Sequence, residues 1–75
     1  MEFETIEYKK QNKILAIILN RPDRLNAINE RLSEELEVAI DGAAKDREVK
    51  VIILSGKGKS FCAGADIGEI KFNSV

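Results

Sequence analysis

Histidine is absent from this 75-residue chain, and cysteine occurs once. Without histidine no Ser-His or Cys-His dyad can be assembled and the common zinc-ligand spacings cannot be written, so nucleophilic triad chemistry is excluded within the chain and no metal is expected. A lone cysteine closes no internal disulfide. Neither charge dominates: 12 basic and 13 acidic residues are interspersed, for a formal net charge of -1, which leaves no sequence-wide positive field for nucleic acid or an anionic membrane. No apolar run approaches the roughly 20 residues of a membrane span. Glu2, Glu4 and Glu7 occupy a start where a signal or transit peptide would be apolar or arginine-rich, so a cytoplasmic location with no membrane partner is the expectation. Repeats, low-complexity tracts and linkers are also missing. A domain this short buries only about 60% of its unfolded surface, and no staple compensates.

What is present is a strand, strand, helix, strand pattern. Phe3 to Lys9 alternates apolar and polar, as a half-buried edge strand does, and Gln11-Asn12 offers a turn to an antiparallel partner. Ile14 to Leu19 is continuously apolar, and Val49 to Leu54 is so apart from Lys50; such runs suit strands buried on both faces of a sheet. Between them Leu32, Leu36, Ala39, Ile40 and Ala43 make one apolar stripe on a helix from about Asn29 to Asp46. Asn29 is a good N-cap, Glu30, Glu34 and Glu35 lie toward the positive end of the helix dipole, and Lys45 and Arg47 toward the negative end. Gly42 is a mild objection, costing about 1 kcal/mol in a helix interior. The result is an α/β chain, a β-hairpin followed by a βαβ unit whose crossover is expected to be right-handed. One helix covers one sheet face. The second face would meet water, a physical reason to expect the front of a longer polypeptide or a partner.

Two segments carry chemistry, and each follows an apolar strand. Ser60-Phe61-Cys62-Ala63-Gly64-Ala65-Asp66-Ile67 places small residues between a strand and a helix start, which lets backbone N–H groups approach a ligand. Preorganised N–H donors of this kind form an oxyanion hole. A tight strand-to-helix turn that needs only small residues fits the same pattern. Asp66 and Glu69 sit at i and i+3, a spacing open to general acid and base work but better explained as a capping box. In Asn20-Arg21-Pro22-Asp23-Arg24-Leu25-Asn26-Ala27-Ile28, Arg24 is the better candidate for gripping phosphate oxygens, while Arg21 is equally suited to pairing with Asp23 or Glu30; a solvated surface role remains open for both. Gly56-Lys57-Gly58-Lys59 lacks the spacing of either phosphate-binding glycine motif and reads as a flexible basic turn, with Lys57 or Lys59 available to phosphates. Phe61 is expected in the core, with Cys62 as a small buried filler.

Taken together, the two segments resemble the crotonase family, the enoyl-CoA hydratase and isomerase superfamily; both occur in family order at strand ends, and the likeness covers nearly the whole chain. The resemblance implies the N-terminal part of a crotonase fold, incomplete on its own, with residues 1–75 a fragment of a single domain. It assigns to the backbone N–H of Ala65 one of the two oxyanion-hole donors that hold a thioester carbonyl. It implies coenzyme A contacts from Arg24, Leu25 and Ala27 in the first segment and from Ala63, Gly64, Ala65, Asp66 and Ile67 in the second, with Ala63 near the adenine. The expected partner is an acyl-CoA, with coenzyme A entering as part of the substrate thioester rather than as a separate cofactor, and the parent is expected to be a homotrimer or a dimer of trimers.

The chain departs from the family at Gly68, where many relatives place a longer, often charged residue. The glycine-rich segment that gives the second oxyanion donor, the catalytic carboxylates and the trimer-forming region have no counterpart within 75 residues. The expectation is therefore a parent enzyme that stabilises a thioester enolate, most often by hydrating a 2-enoyl-CoA, and a 75-residue chain that is a poor catalyst or none. The competing expectation is a truncated, non-catalytic crotonase-like module whose apolar sheet face serves assembly with another chain.

Overall fold

A computed structural model describes residues 2–62 and Gly64. Three strands, β1 (Ile6–Gln11), β2 (Ile14–Leu19) and β3 (Val51–Gly56), form one sheet in the order β1-β2-β3. Asn12 makes the hairpin turn with a left-handed φ of 58°, a conformation asparagine tolerates better than most residues. β1 and β2 pair antiparallel from Ile6 opposite Leu19 to Gln11 opposite Ile14. β2 and β3 pair parallel from Ile14 beside Val51 to Leu19 beside Gly56, and the Lys13 carbonyl anchors the start of β3 by accepting from Lys50 N–H at 2.8 Å.

The crossover is α1 (Glu30–Ala44). Asn29 caps it from an extended backbone, its Oδ1 accepting from the Leu32 amide at 2.9 Å, one of the four donors a helix start leaves unpaired. Leu32, Ala39 and Ala43 point inward onto Ile6, Leu15, Ile17 and Leu19, with Phe3, Ile28, Leu36, Val49 and Cys62 packed around them. Each fully buried leucine or isoleucine contributes about 1.5–3 kcal/mol by leaving water, so this small cluster is the principal cohesive term.

Four expectations need correction. The first strand begins at Ile6, not Phe3, because the amides of Glu4 and Thr5 turn away from the ladder to the Glu35 carboxylate. Ile40 lies outside the buried stripe, and Glu35 lies inside it. β3 is apolar yet open on both faces, with Val51, Ile52, Ile53 and Leu54 42–51% exposed, because α1 rests on the hairpin strands rather than over β3. Phe61 is likewise outside the core, at 54% exposed.

Candidate active site at the carboxyl ends of two parallel strands

Because β2 and β3 run parallel and in register, the segments that follow them leave the sheet at the same end. This is where open α/β sheets bind ligands, just beyond the carboxyl ends of their strands. The β2 exit folds tightly. Pro22–Arg24 is one 3-10 turn with proline pre-setting the first φ, and Arg24, Leu25, Asn26 and Ala27 each return their amide to a carbonyl within residues 21–24. Leu25 (φ 53°) and Asn26 (φ 55°) then occupy the left-handed region in succession. For leucine, with no side-chain polar group to recoup the cost, that conformation stores about 1–2 kcal/mol, and backbone strain of this kind concentrates at ligand-binding segments.

Asn26 is completely buried, and every hydrogen-bonding atom of its amide is used. Its Oδ1 accepts from the Arg21 amide at 2.8 Å, while its Nδ2 donates to the Lys57 carbonyl at 2.9 Å and to the Ser60 carbonyl at 2.7 Å. Two residues on, the Ile28 amide donates to the Gly64 carbonyl at 2.7 Å. The two chemistry-bearing segments are thus held side by side. Gly56, the last residue of β3, leaves room for the junction: a Cβ there would collide with the Phe61 backbone and lie 2.8 Å from Asn26 Nδ2. Gly64 has a φ of 103°, which L side chains rarely adopt.

Of the residues singled out from the sequence, Arg24 and Leu25 are exposed on the β2 exit, Ala27 is buried beneath it, and Gly64 lies against Ile28. Ala63, Ala65, Asp66 and Ile67 lie outside the described residues, as do Gly68 and Glu69. The Arg21 guanidinium donates from Nη1 to the Ala27 carbonyl at 2.5 Å, bracing the loop from within. The glycine-lysine turn is pinned rather than loose at its start: the Lys57 amide donates to the Leu19 carbonyl at 2.8 Å, and its ammonium grips Glu7 Oε2 at 2.6 Å. The Lys57 hydrogen bond, then its charge, holds the Glu7 carboxyl below its ordinary value. Cys62 is half-buried against the core, and its Sγ accepts weakly from the Gly64 amide at 3.4 Å.

Sequence reasoning did not single out Asn26 or Glu35. Asn26 stood in the quoted motif, but an asparagine inside Leu-Asn-Ala signals only a turn; its long-range partners, 31 and 34 residues away, leave no local trace. From the sequence, Glu35 reads as a helix-dipole charge. In the fold it is 6% exposed and accepts from the amides of Glu4 at 2.9 Å and Thr5 at 2.7 Å, the Thr5 hydroxyl at 2.6 Å and Arg31 Nε at 2.9 Å. Burial, the largest single influence, pushes its carboxyl up, but the Glu4 amide, the Thr5 hydroxyl and amide and the Arg31 guanidinium together outweigh it and hold the carboxyl at about 2.

The Enoyl-CoA hydratase/isomerase family profile matches residues 9–74, and the chain belongs to that family. Over 71 residues it is 44% identical to a probable enoyl-CoA hydratase of Rhizobium meliloti, covering 95% of this chain and 28% of the relative. A short-chain-enoyl-CoA hydratase of Clostridium acetobutylicum is 42% identical over 72 residues, again 95% of this chain and 28% of the relative. Among solved structures, a probable enoyl-CoA hydratase from Mycobacterium smegmatis superposes with a TM-score of 0.80 at 47% identity, over 91% of this chain and 27% of that one. The chain thus spans about 28% of the length of the curated relatives it matches. Among the described residues, the three-stranded sheet with one α-helix is an incomplete, N-terminal portion of the crotonase fold.

Proposed function

We propose that the full-length parent of this chain binds acyl-CoA thioesters and stabilises the enolate that forms when the thioester carbonyl is polarised, with hydration of a 2-enoyl-CoA as the reaction. In this reading the Ala65 N–H is one oxyanion donor; Arg24, Leu25, Ala27, Ala63, Gly64, Asp66 and Ile67 line the coenzyme A side; and the acid and base lie beyond Val75. Coenzyme A is part of the substrate, no further cofactor is required, and the parent works as a homotrimer or dimer of trimers in cytoplasmic fatty acid metabolism. Residues 1–75 are then one fragment of a single domain.

The observation that carries the reading is the pairing of Ile28 N–H with the Gly64 carbonyl at 2.7 Å, which sets the two motif segments together where two parallel strands end. Family membership supplies the rest. Adding water across the double bond of a 2-enoyl thioester moves electrons onto the carbonyl oxygen, and a fixed N–H aimed at that oxygen strengthens as the charge grows.

Replacing Ala65 by proline in the parent removes the N–H without removing any side-chain chemistry. Losing one such donor costs about 2.7–4 kcal/mol of transition-state stabilisation, so turnover of a 2-enoyl-CoA should fall about 100-fold or more. An unchanged rate in a folded variant overturns the assignment.

The alternative, a truncated module that assembles with another chain, draws on the bared apolar strand β3. Reading the coding sequence past codon 75 separates the two: a downstream Gly-Gly-Gly run followed by a glutamate favours the enzyme, and a stop codon favours the module. Titrating the isolated chain with acetoacetyl-CoA gives a second check, since tight binding would contradict a half-site too incomplete to hold the ligand.

A further inference from the structure

We propose that Asn26 is a positioning residue for the reaction: it sets the placement of the segment after β3, and so governs the rate of the chemical step rather than the affinity for the acyl-CoA. The proposal rests on the acyl-CoA reading above and extends it to a residue that touches no substrate.

Three observations converge. Asn26 is fully buried, with a left-handed φ of 55°. Its side chain spans the gap between the β2 exit and the β3 exit, holding the carbonyls of Lys57 and Ser60 from a single nitrogen at 2.9 and 2.7 Å. And the space it occupies is kept open by a glycine, Gly56, whose Cβ would approach that nitrogen to 2.8 Å. With the Ile28 to Gly64 bond, Asn26 makes a two-point clamp: one point holds the segment at Lys57 and Ser60, the other at Gly64. A neutral amide suits the task. It donates to two carbonyls and accepts from one amide with no net charge to desolvate, whereas a lysine or an aspartate at this depth would carry an uncompensated charge.

The Asn26 contact to Ser60 lies four residues ahead of Gly64 in the chain, on the segment that leads to the proposed oxyanion donor. Misplacing a reacting group by about 1 Å can cost on the order of 100-fold in rate while binding contacts elsewhere persist. A residue that only supports the fold lowers the amount of folded enzyme and leaves the rate per folded molecule alone.

Two variants of the full-length parent separate these outcomes. Asn26→Gly accepts the positive φ and removes the amide. Asn26→Asp is nearly isosteric and keeps the acceptor for the Arg21 amide, but sets an oxygen against the Lys57 and Ser60 carbonyls. Turnover and KM for a 2-enoyl-CoA are measured per folded molecule, with folding followed by circular dichroism. The expected result is a kcat lowered about 10-fold or more in both, with KM within about threefold of wild type. In Asn26→Asp, but not in Asn26→Gly, part of the loss should be recovered as pH falls, because a protonated carboxyl can again donate to one carbonyl. Wild-type kcat per folded molecule in either variant overturns the proposal, as does failure of both variants to fold, since that describes a purely architectural residue. If the wild-type parent neither binds nor turns over any 2-enoyl-CoA, the acyl-CoA reading itself has failed and takes this inference with it; an active wild type with unaffected variants rejects the inference alone.

Discussion

Two buried polar junctions flank the end of β2, and they are built from opposite chemistry. On the hairpin side, the ionised Glu35 gathers the amides of Glu4 and Thr5, the Thr5 hydroxyl and Arg31. On the crossover side, the neutral Asn26 gathers Arg21, Lys57 and Ser60. Both tie together pieces of chain about 30 residues apart, and among the described residues no buried side-chain N or O atom lacks a hydrogen-bond partner. The difference is in what each can do. A buried carboxylate gives strong, charge-assisted bonds but answers to pH, while an amide gives weaker bonds that do not titrate. The charged junction fastens the start of the chain to the helix, and the neutral one borders the site.

The sharpest way to break the comparison is to delete the charged junction. Glu35→Ala should lower unfolding free energy by about 3 kcal/mol, because it leaves two amides and a hydroxyl without their acceptor in a mostly dry place and deprives four donors of a charged partner. In the parent, denaturant unfolding reads this loss directly. Turnover per folded molecule should stay close to wild type, in contrast to Asn26→Gly. If Glu35→Ala slows the chemical step as much as the Asn26 variants do, the division between a fastening junction and a positioning one does not hold.

A smaller effect separates the two by pH. The Glu35 carboxyl lies at about 2 in the fold against 4.5 ordinarily, so the unfolded state binds the proton first as pH falls. Its contribution is therefore fully present above about pH 4.5 and is lost progressively as pH drops toward 2. Glu35→Gln should flatten that part of the stability profile, and Asn26→Gly should leave its shape unaltered. Unfolding measured from pH 6 to pH 2 in the three proteins tests both statements; an equally steep acid loss in Glu35→Gln would place its origin in another carboxylate.

How much of this was legible in the sequence follows from how local each signal is. The helix was readable because its stripe, its Asn29 cap and its charge gradient all lie within one segment, and the hairpin because Asn12 sits between two apolar-rich runs. The start of β1 was misjudged at Phe3 because alternation continues through Thr5 while the amides there answer to Glu35, 30 residues away. β3 reads as doubly buried from its own residues, since hydrophobicity records what a strand is built to meet, not what this chain supplies to cover it. At the site, small residues and glycines read as room for a close backbone approach, and the fold sets Gly64 at a positive φ. Asn26 was not legible because turn preference alone explains an asparagine in that sequence; only the fold brings Lys57 and Ser60 to it.

The smallest effect concerns the residue beside Asn26. Leu25 shares its left-handed backbone but is 49% exposed, and none of its strain is offset by a side-chain hydrogen bond. Asparagine accepts this region of φ and ψ more readily, and unlike glycine it does not enlarge the entropy of the unfolded chain. Leu25→Asn should therefore raise stability by about 0.5 kcal/mol, a little less than the strain released because some apolar contact is given up. If the leucine instead contributes an apolar wall to the coenzyme A side, the same change will raise KM while stability improves. A variant that gains stability with KM unaltered would assign the strain at position 25 to the geometry of the turn alone, and the neighbouring strain at Asn26 would then have to be explained by its clamp and not by a ligand-facing loop as a whole.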